Sequence, residues 1–440
     1  MRAYRGLLVF VIIIIAAGIA GLYWWHQEDG TSTAASTQFK TSQEADNVYV
    51  RFDMEAYDDI EGNYWQQVND TDLAQLFQLS LEKAAGTSSE PLATSTRDGV
   101  AQMLSGAFSA LSTTSQESLA LQTLTVALYN LAPAGRSNLL SAEAQTQLAN
   151  TVDNVQPNNN LYSDLGLQSG ASSTAVAQAV AQRSATLAAS TSPAAKQELE
   201  QVQQASATLS NPTAKAIYDQ SGAQATVFSH VVNSHTLYID VSSVAPTTID
   251  EFSAAIDAAS TTPALTNLII DLRGNIGGDL SFAQEFLALF FGPNQYAFDL
   301  FHQGNLQVQR TANIAQDPTL SQFKEIAVLT DSMTQSTAEL AASALKHDHL
   351  AYTVGTTTRG WGSVEAIIPL QTQIDPSENY ALELVEYLTV RYDGLPIEGN
   401  GVVPDVDIND VGWQSRLPDY FYSPYLVSAI EGEIPRAPLH

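Results

Sequence analysis

In the stretch Leu268-Ile-Ile-Asp-Leu-Arg-Gly-Asn-Ile-Gly-Gly278, an apolar run of strand length passes into three glycines within five residues. Such a run, apolar on both faces, reads as a buried strand, and the glycines let the backbone turn sharply and turn out successive N–H groups. A strand followed by a glycine-rich turn recurs in many α/β folds and proves little alone. The residues around it extend the pattern. Leu237-Tyr-Ile-Asp-Val241 is a strand candidate, and Thr248-x-x-Glu251 reads as a capping box opening a helix with Phe252, Ala255, Ile256 and Ala259 on one side. A helix over Phe282 to Phe291, a strand over Ile326–Leu329 and a helix from about Thr337 to Lys346 follow. Strand–helix alternation implies crossover connections, a largely parallel sheet, and function at the strand ends.

Upstream the period is helical. Leu121, Leu124, Leu128 and Leu131 recur at three- and four-residue steps, as do Val100, Leu104, Ala107 and Leu111. These place a helical subdomain over residues 47–155. Residues 156–222 hold two Ala/Gln-rich helical runs separated by Ser190–Pro193, with Pro193 suited to the first turn of the second. Residues 226–430 form the α/β region, and the polar, Ser/Thr/Ala-rich residues 27–46 read as a flexible tether. Residues 1–26 are a short stub and an apolar span. Gly6 to Trp25 is uncharged and long enough to cross a bilayer core of about 30 Å. Arg2 and Arg5 before it and Glu28 and Asp29 after it put the N-terminus in the cytoplasm and the body outside. A cleaved signal peptide is the competing reading; the length of the run favours an uncleaved single transmembrane helix.

The 440-residue chain has 47 acidic and 18 basic residues, a formal net charge of −29. Nucleic acid and anionic lipid headgroups repel so acidic a surface, which suits a soluble body held off the membrane. No cysteine is present, which excludes disulfides, thiolate metal sites and Cys nucleophiles. No metal-ligand or phosphate-loop spacing occurs, so neither metal nor cofactor is expected.

Ser336 stands just after the Ile326–Leu329 strand, at the start of a helix (Ser336-Thr-Ala-Glu-Leu). A helix N-terminus favours developing negative charge, so a nucleophile fits there; a plain N-cap serine fits equally. The order of four motifs adds weight to the first reading. Asp271–Gly278, Ile326–Glu339, Val354-Gly-Thr-Thr-Thr-Arg-Gly-Trp-Gly-Ser-Val364 and Glu398-Gly-Asn-Gly-Val-Val-Pro-Asp405 together resemble the tail-specific, C-terminal processing serine peptidases. That resemblance implies an α/β peptidase-type domain acting on polypeptides, with Ser336 as nucleophile and Gly277 and Gly278 near the oxyanion.

It also exposes departures. Trp361 stands where the family has its lysine base. A second branch takes a histidine from a Leu-Asp-Pro-His-Ser segment, here Leu131-Ala-Pro-Ala-Gly-Arg-Ser137, and a carboxylate that Glu398 could supply. Residues 156–222 resemble a J domain in place of the usual PDZ domain, with that family's His-Pro-Asp signature lost around Ala188, Ala189 and Ser190. Two expectations stand side by side, a membrane-anchored serine endopeptidase with a base not yet found, and a dead peptidase that still binds polypeptide as a scaffold.

Overall fold

A computed structural model describes residues 40–89, 91–188, 192–347 and 349–438. The Gly6–Trp25 span and most of the tether lie outside the described residues. Among the described residues no helix is long and apolar enough to cross a membrane. The tether ends earlier than its composition implies. Ser42–Asp46 is already a helical turn capped by Thr41, and its Glu44 is buried against Arg97 at 2.8 Å.

Helices α1 (Val48–Asn63), α2 (Asp70–Ala85), α3 (Arg97–Ser109) and α4 (Thr113–Tyr129) follow. Each opens on a side-chain cap, from Asn47, Asn69, Thr96 and Ser112, which accepts from otherwise unpaired N–H groups of the first turn. Their apolar stripes meet in one core that also takes in Leu382, Leu384, Val385 and Leu388 of a distant strand. The helical region therefore completes its core on the C-terminal half rather than closing on itself. Strand β1 (Asn138–Leu140) joins the same sheet. Residues 156–222 form a separate small core built on Leu161, Tyr162, Val176, Val202 and Leu209, with α5 (Ser173–Ala188) and α6 (Pro193–Ser210) as its long helices. The two ends of this module meet where Val155 bridges Ala223 and Gln224 N–H donates to Asn154 O at 3.0 Å.

The α/β region runs β2 (Val227–Asn233), β3 (Thr236–Val241), α7 (Thr248–Ala259), β4 (Asn267–Asp271), α8 (Ser281–Phe291), β5 (Tyr296–His302), β6 (Asn305–Arg310), β7 (Glu325–Thr330), α9 (Thr337–His347), β8 (Tyr352–Gly355), β9 (Ser363–Pro369), β10 (Ala381–Val390), β11 (Val406–Asp407) and α10 (Pro424–Glu433). One sheet has the order β11-β8-β7-β4-β3-β2, parallel throughout except for β2. This is the expected parallel sheet, and its central strands are buried along their whole length. The other sheet, β1-β10-β5-β6 with β9 also on β10, is antiparallel at every pairing. The sheets are thus mixed, and the alternating runs that form the second one break the simple strand–helix rhythm.

The expected capping box at α7 is not formed. Thr247 rather than Thr248 is the cap residue, with no side-chain cap bond. Glu251 reaches across instead, accepting from Thr226 N–H at 2.7 Å and Val227 N–H at 2.9 Å, and so pins the start of β2.

Candidate active site

The carboxyl ends of β4, β7 and β8 lie at one edge of the parallel sheet, and the loops that leave them converge there, as open α/β sheets arrange their sites. The first half of the Asp271–Gly278 motif is structural. Asp271 and Arg273 form a buried bidentate pair, Tyr238 Oη donates to Asp271 at 2.6 Å, and Arg273 Nη1 donates to the carbonyls of Ile434 and Arg436. This locks the end of β4 to the chain beyond α10. The second half faces Ser336. Buried Asn275 donates from Nδ2 to Val241 O at 2.7 Å, accepts from Gly277 N–H at 2.8 Å, and offers its carbonyl to Gln335 N–H at 2.9 Å. Asp331 Oδ1 accepts from Gly274 N–H at 3.0 Å and from Thr334 N–H at 2.9 Å, and Thr334 Oγ1 donates to Leu272 O. The glycine loop and the nucleophile loop are one stitched unit.

Gly277 is required by closeness. A Cβ there would lie 2.6 Å from Ser336 Cβ, and its φ of +82° is open only to glycine without strain. A Cβ on Gly278 would fall 1.9 Å from Val244 O. Gly277 packs against Ser336 and Gly278 is bonded to the next residue, Thr337, but their N–H groups differ. That of Gly277 is consumed by Asn275, so it is not a free oxyanion donor. That of Gly278 has no partner among the described residues, while its carbonyl accepts from Thr337 Oγ1 at 3.0 Å. Thr337 N–H, 3.0 Å from the Cβ position built on Gly277, opens α9 and is one of the first-turn donors a helix leaves unpaired. Gly278 and Thr337 thus each carry a backbone N–H without a partner among the described residues close to the Ser336 turn.

Ser336 is not an ordinary cap. Helix caps take extended φ/ψ, whereas Ser336 has φ +56°, a left-handed conformation that costs a non-glycine residue about 1–2 kcal/mol. Half of a capping box holds it. Glu339 Oε2 accepts from Ser336 N–H at 2.9 Å, and Ser336 Oγ makes no hydrogen bond among the described residues. The hydroxyl is thereby left out of the cap. Glu339, which sequence reading passed over, is fully buried and also accepts from Gly360 N–H (2.8 Å), Trp361 N–H (2.9 Å) and the Thr358 hydroxyl. Burial pushes its carboxyl above the ordinary value, against the pull of those four donors. Its signal in the sequence was only a Glu three residues after Ser336.

Trp361 is held to this frame by its own N–H. On its indole lies the Arg136 guanidinium, 3.2 Å from the ring centroid, with Arg359 at 5.2 Å on the same ring. Arg136 Nη2 pairs with Glu398 Oε1 at 3.1 Å, and Glu398 Oε2 accepts from Gly362 N–H at 2.8 Å. The structure thus brings Trp361 and Glu398 together through Arg136, from the Leu131–Ser137 segment. Four of the five described histidines are engaged elsewhere. His230 lies against Tyr238 and Glu433, His235 stacks on Tyr425, His302 bonds Glu386 O and His347 stacks on Tyr392, while His349 is exposed. Lys346 binds Asp405 at 3.0 Å and Val403 O. No metal-type cluster of side chains occurs among the described residues.

Residues 235–408 match the profile of peptidase family S41. The chain is 29% identical over 201 residues to the carboxy-terminal processing protease CtpA of Bacillus subtilis (strain 168), covering 46% of this chain and 39% of that protein. It is 31% identical over 190 residues to the carboxy-terminal-processing protease of Bartonella bacilliformis, covering 42% and 40%. It therefore spans about two fifths of the length of these curated relatives. Among solved structures, a lipoprotein from Streptococcus agalactiae aligns with 85% of this chain and 96% of its own at TM-score 0.45 and 14% identity. The photosystem II D1 C-terminal processing protease aligns with 42% and 49% at TM-score 0.36 and 18% identity. The family match and the two relatives support a serine peptidase of family S41 as the kin of the α/β region.

Proposed function

We propose that this chain is a membrane-anchored, extracytoplasmic relative of the family S41 peptidases that binds polypeptide in the cleft at Ser336 and hydrolyses it slowly or not at all. One observation carries the reading. Where the resemblance assigns the base there is Trp361, and the cation from the alternative histidine segment is Arg136, lying over that indole and paired with Glu398. A guanidinium stays protonated in proteins and accepts no proton, and an indole offers only a donor. Without general-base assistance, typically worth 10²–10⁴-fold, a serine hydroxyl is a poor nucleophile. An intact oxyanion site alone leaves only residual catalysis. The span Gly6–Trp25 with Arg2 and Arg5 before it supports anchoring, and the strongly acidic body suits a position away from anionic headgroups. The 156–222 module, inserted at the Val155–Ala223 bridge, serves in this reading to present polypeptide segments to the cleft rather than to stimulate a chaperone ATPase.

A second reading, the active endopeptidase, is favoured by the strained φ of Ser336 and its unspent hydroxyl, since such strain clusters at working sites. Purified residues 40–440 incubated with an unfolded protein, beside Ser336→Ala, separate the two. Polypeptide binding by both proteins with no cleavage above background is the expected result. Cleavage by the first and not by the second would establish the endopeptidase.

A further inference from the structure

The hairpin of β5 and β6 leaves the outer edge of β6 unpaired. Its two-residue loop, Gln303-Gly304, makes His302 and Asn305 the closing hydrogen-bonded pair, so Asn305, Gln307 and Gln309 turn their backbone groups toward β5. Leu306 and Val308 turn theirs outward, and no backbone bond joins either to another element among the described residues. Their side chains are 60% and 56% exposed, and Arg310, the next residue on that face, is exposed too. Across from Leu306 on β5 is Phe301, whose ring stands edge-on to Trp65 at 6.0 Å between centroids. The hairpin is fixed at its tip, where Gln303 N–H donates to Trp65 O at 2.6 Å and Gln303 Nε2 to Tyr64 O at 3.2 Å. A rigid strand edge is thus offered to solvent.

Natural edge strands are usually protected by proline, by charge or by a covering segment. On the same sheet β9 carries Glu365 and ends in Pro369. β6 has neither a proline nor an acidic residue, and its single charge, Arg310, stands at its last position. A row of outward N–H and C=O groups is complementary to one kind of partner, an extended backbone. Two chains that each carry −29 repel, which disfavours a second copy of β6 in that place. We propose that β6 binds an extended segment of another polypeptide as an added strand, on the other sheet from the Ser336 turn. The residues of that segment opposite Leu306 and Val308 are two apart and share their face, so β-branched or aromatic side chains are selected there. This gives the polypeptide-binding reading a second point of attachment, and the test separates the two.

The full chain is reconstituted in phosphatidylcholine nanodiscs and titrated into fluorescein-labelled peptides, with fluorescence anisotropy as the readout. The host peptide of Ser, Thr and Gln carries two valines, either at alternate positions or side by side. A third peptide is the alternate one N-methylated at a valine, which removes an N–H that would face β6. The alternate peptide is expected to bind at least about tenfold more tightly than the other two. Val308→Pro deletes an N–H that bonds nothing on β5, so it should leave thermal unfolding unchanged and weaken the alternate peptide by a similar factor. Leu306→Lys, which puts a charge on the exposed face, is expected to weaken it too and serves if the proline variant does not fold. Equal binding of the three peptides, or unchanged binding to a folded variant, would overturn the β6 site; such binding would belong to the Ser336 cleft and leave that reading standing. Failure of every peptide to bind would overturn both. A dimer in sedimentation velocity that Val308→Pro dissolves would assign the edge to a second copy and overturn the proposal.

Discussion

Glu339→Gln tests whether the serine turn is held by one buried carboxylate. Each carboxylate oxygen faces two donors, Ser336 and Trp361 N–H on Oε2, Gly360 N–H and the Thr358 hydroxyl on Oε1. A carboxamide keeps one acceptor and turns the other into a donor. With the amide nitrogen in the Oε1 place, Thr358 rotates to accept, since its oxygen already accepts from Val402 N–H, and Gly360 N–H is orphaned. In the opposite orientation both Ser336 and Trp361 N–H are orphaned. Each buried orphan costs about 1–3 kcal/mol, so the first arrangement prevails. The surviving bonds also lose their charge assistance, roughly half their strength. Against this, a neutral group escapes the burial that raises the Glu339 pKa. The net expectation is a loss of about 2–3 kcal/mol. Urea unfolding of residues 40–440 reads it as a lower midpoint at unchanged slope, provided the transition is a single one. A change under about 0.5 kcal/mol would refute the account of Glu339 as the clamp of this turn.

Gly277→Ala should destabilise the chain by about 1–3 kcal/mol and abolish any fluorophosphonate labelling of Ser336, since the new methyl cannot share the space of Ser336 Cβ; wild-type labelling in the variant would show that the turn has room. Asp53 is fully buried, without a partner for either oxygen, and burial holds its pKa well above 3.8. Its native state therefore pays a growing penalty as pH rises past the unfolded value, so Asp53→Asn should raise the melting temperature at pH 8 and converge on the wild type near pH 4; a gain that is larger at low pH would reverse the sign. Arg136→His places an imidazole beside Glu398, and cleavage of an unfolded protein should rise at least about tenfold over the wild type in a Ser336-dependent way; no rise from a folded variant would show that this position does not reach the hydroxyl. Trp361→Lys alone should recover less than the double change with Arg136→His, because the new amine would share the Glu398 carboxylate with a guanidinium that has lost its stacking surface; equal rates would remove the coupling.

The parallel sheet was legible because its strands announce themselves. Leu237–Val241, Leu268–Leu272 and Ile326–Leu329 are short apolar runs bounded by polar or glycine-rich turns, the mark of strands buried on both faces. The antiparallel sheet had subtler signals. Tyr296–His302 and Asn305–Arg310 are joined by Gln303-Gly304, both at positive φ, the two-residue hairpin signature, but Gln in place of Asn or Asp muted it. At α7 the pattern Thr-x-x-Glu was present and the box was not, because Glu251 found better donors on β2. A local motif yields when tertiary structure offers a partner that sequence spacing cannot display. The same limit hid Arg136. Nothing local marks an arginine in a Pro/Gly loop as the neighbour of a tryptophan more than two hundred residues away, and its contact exists only once β1 joins β10.

That hidden contact bears on how the site's residues belong together. The frame around Ser336 is costly. It includes a serine at positive φ, a buried asparagine spending its amide on two backbones, and a buried carboxylate under four donors. The positive φ of Ser336 in particular is a strain that an ordinary extended cap would avoid. The two positions where the family resemblance would put the base are occupied by side chains that satisfy each other instead, Trp361 giving Arg136 a face to lie on and Glu398 neutralising it. In the proposed reading, a retained frame of donors joined to a mutually closed pair at the base position would let a cleft grip a peptide carbonyl without cutting it. The frame would supply hydrogen bonds that a bound chain can use in its ground state, while the closed pair would withhold the proton transfer that only turnover requires.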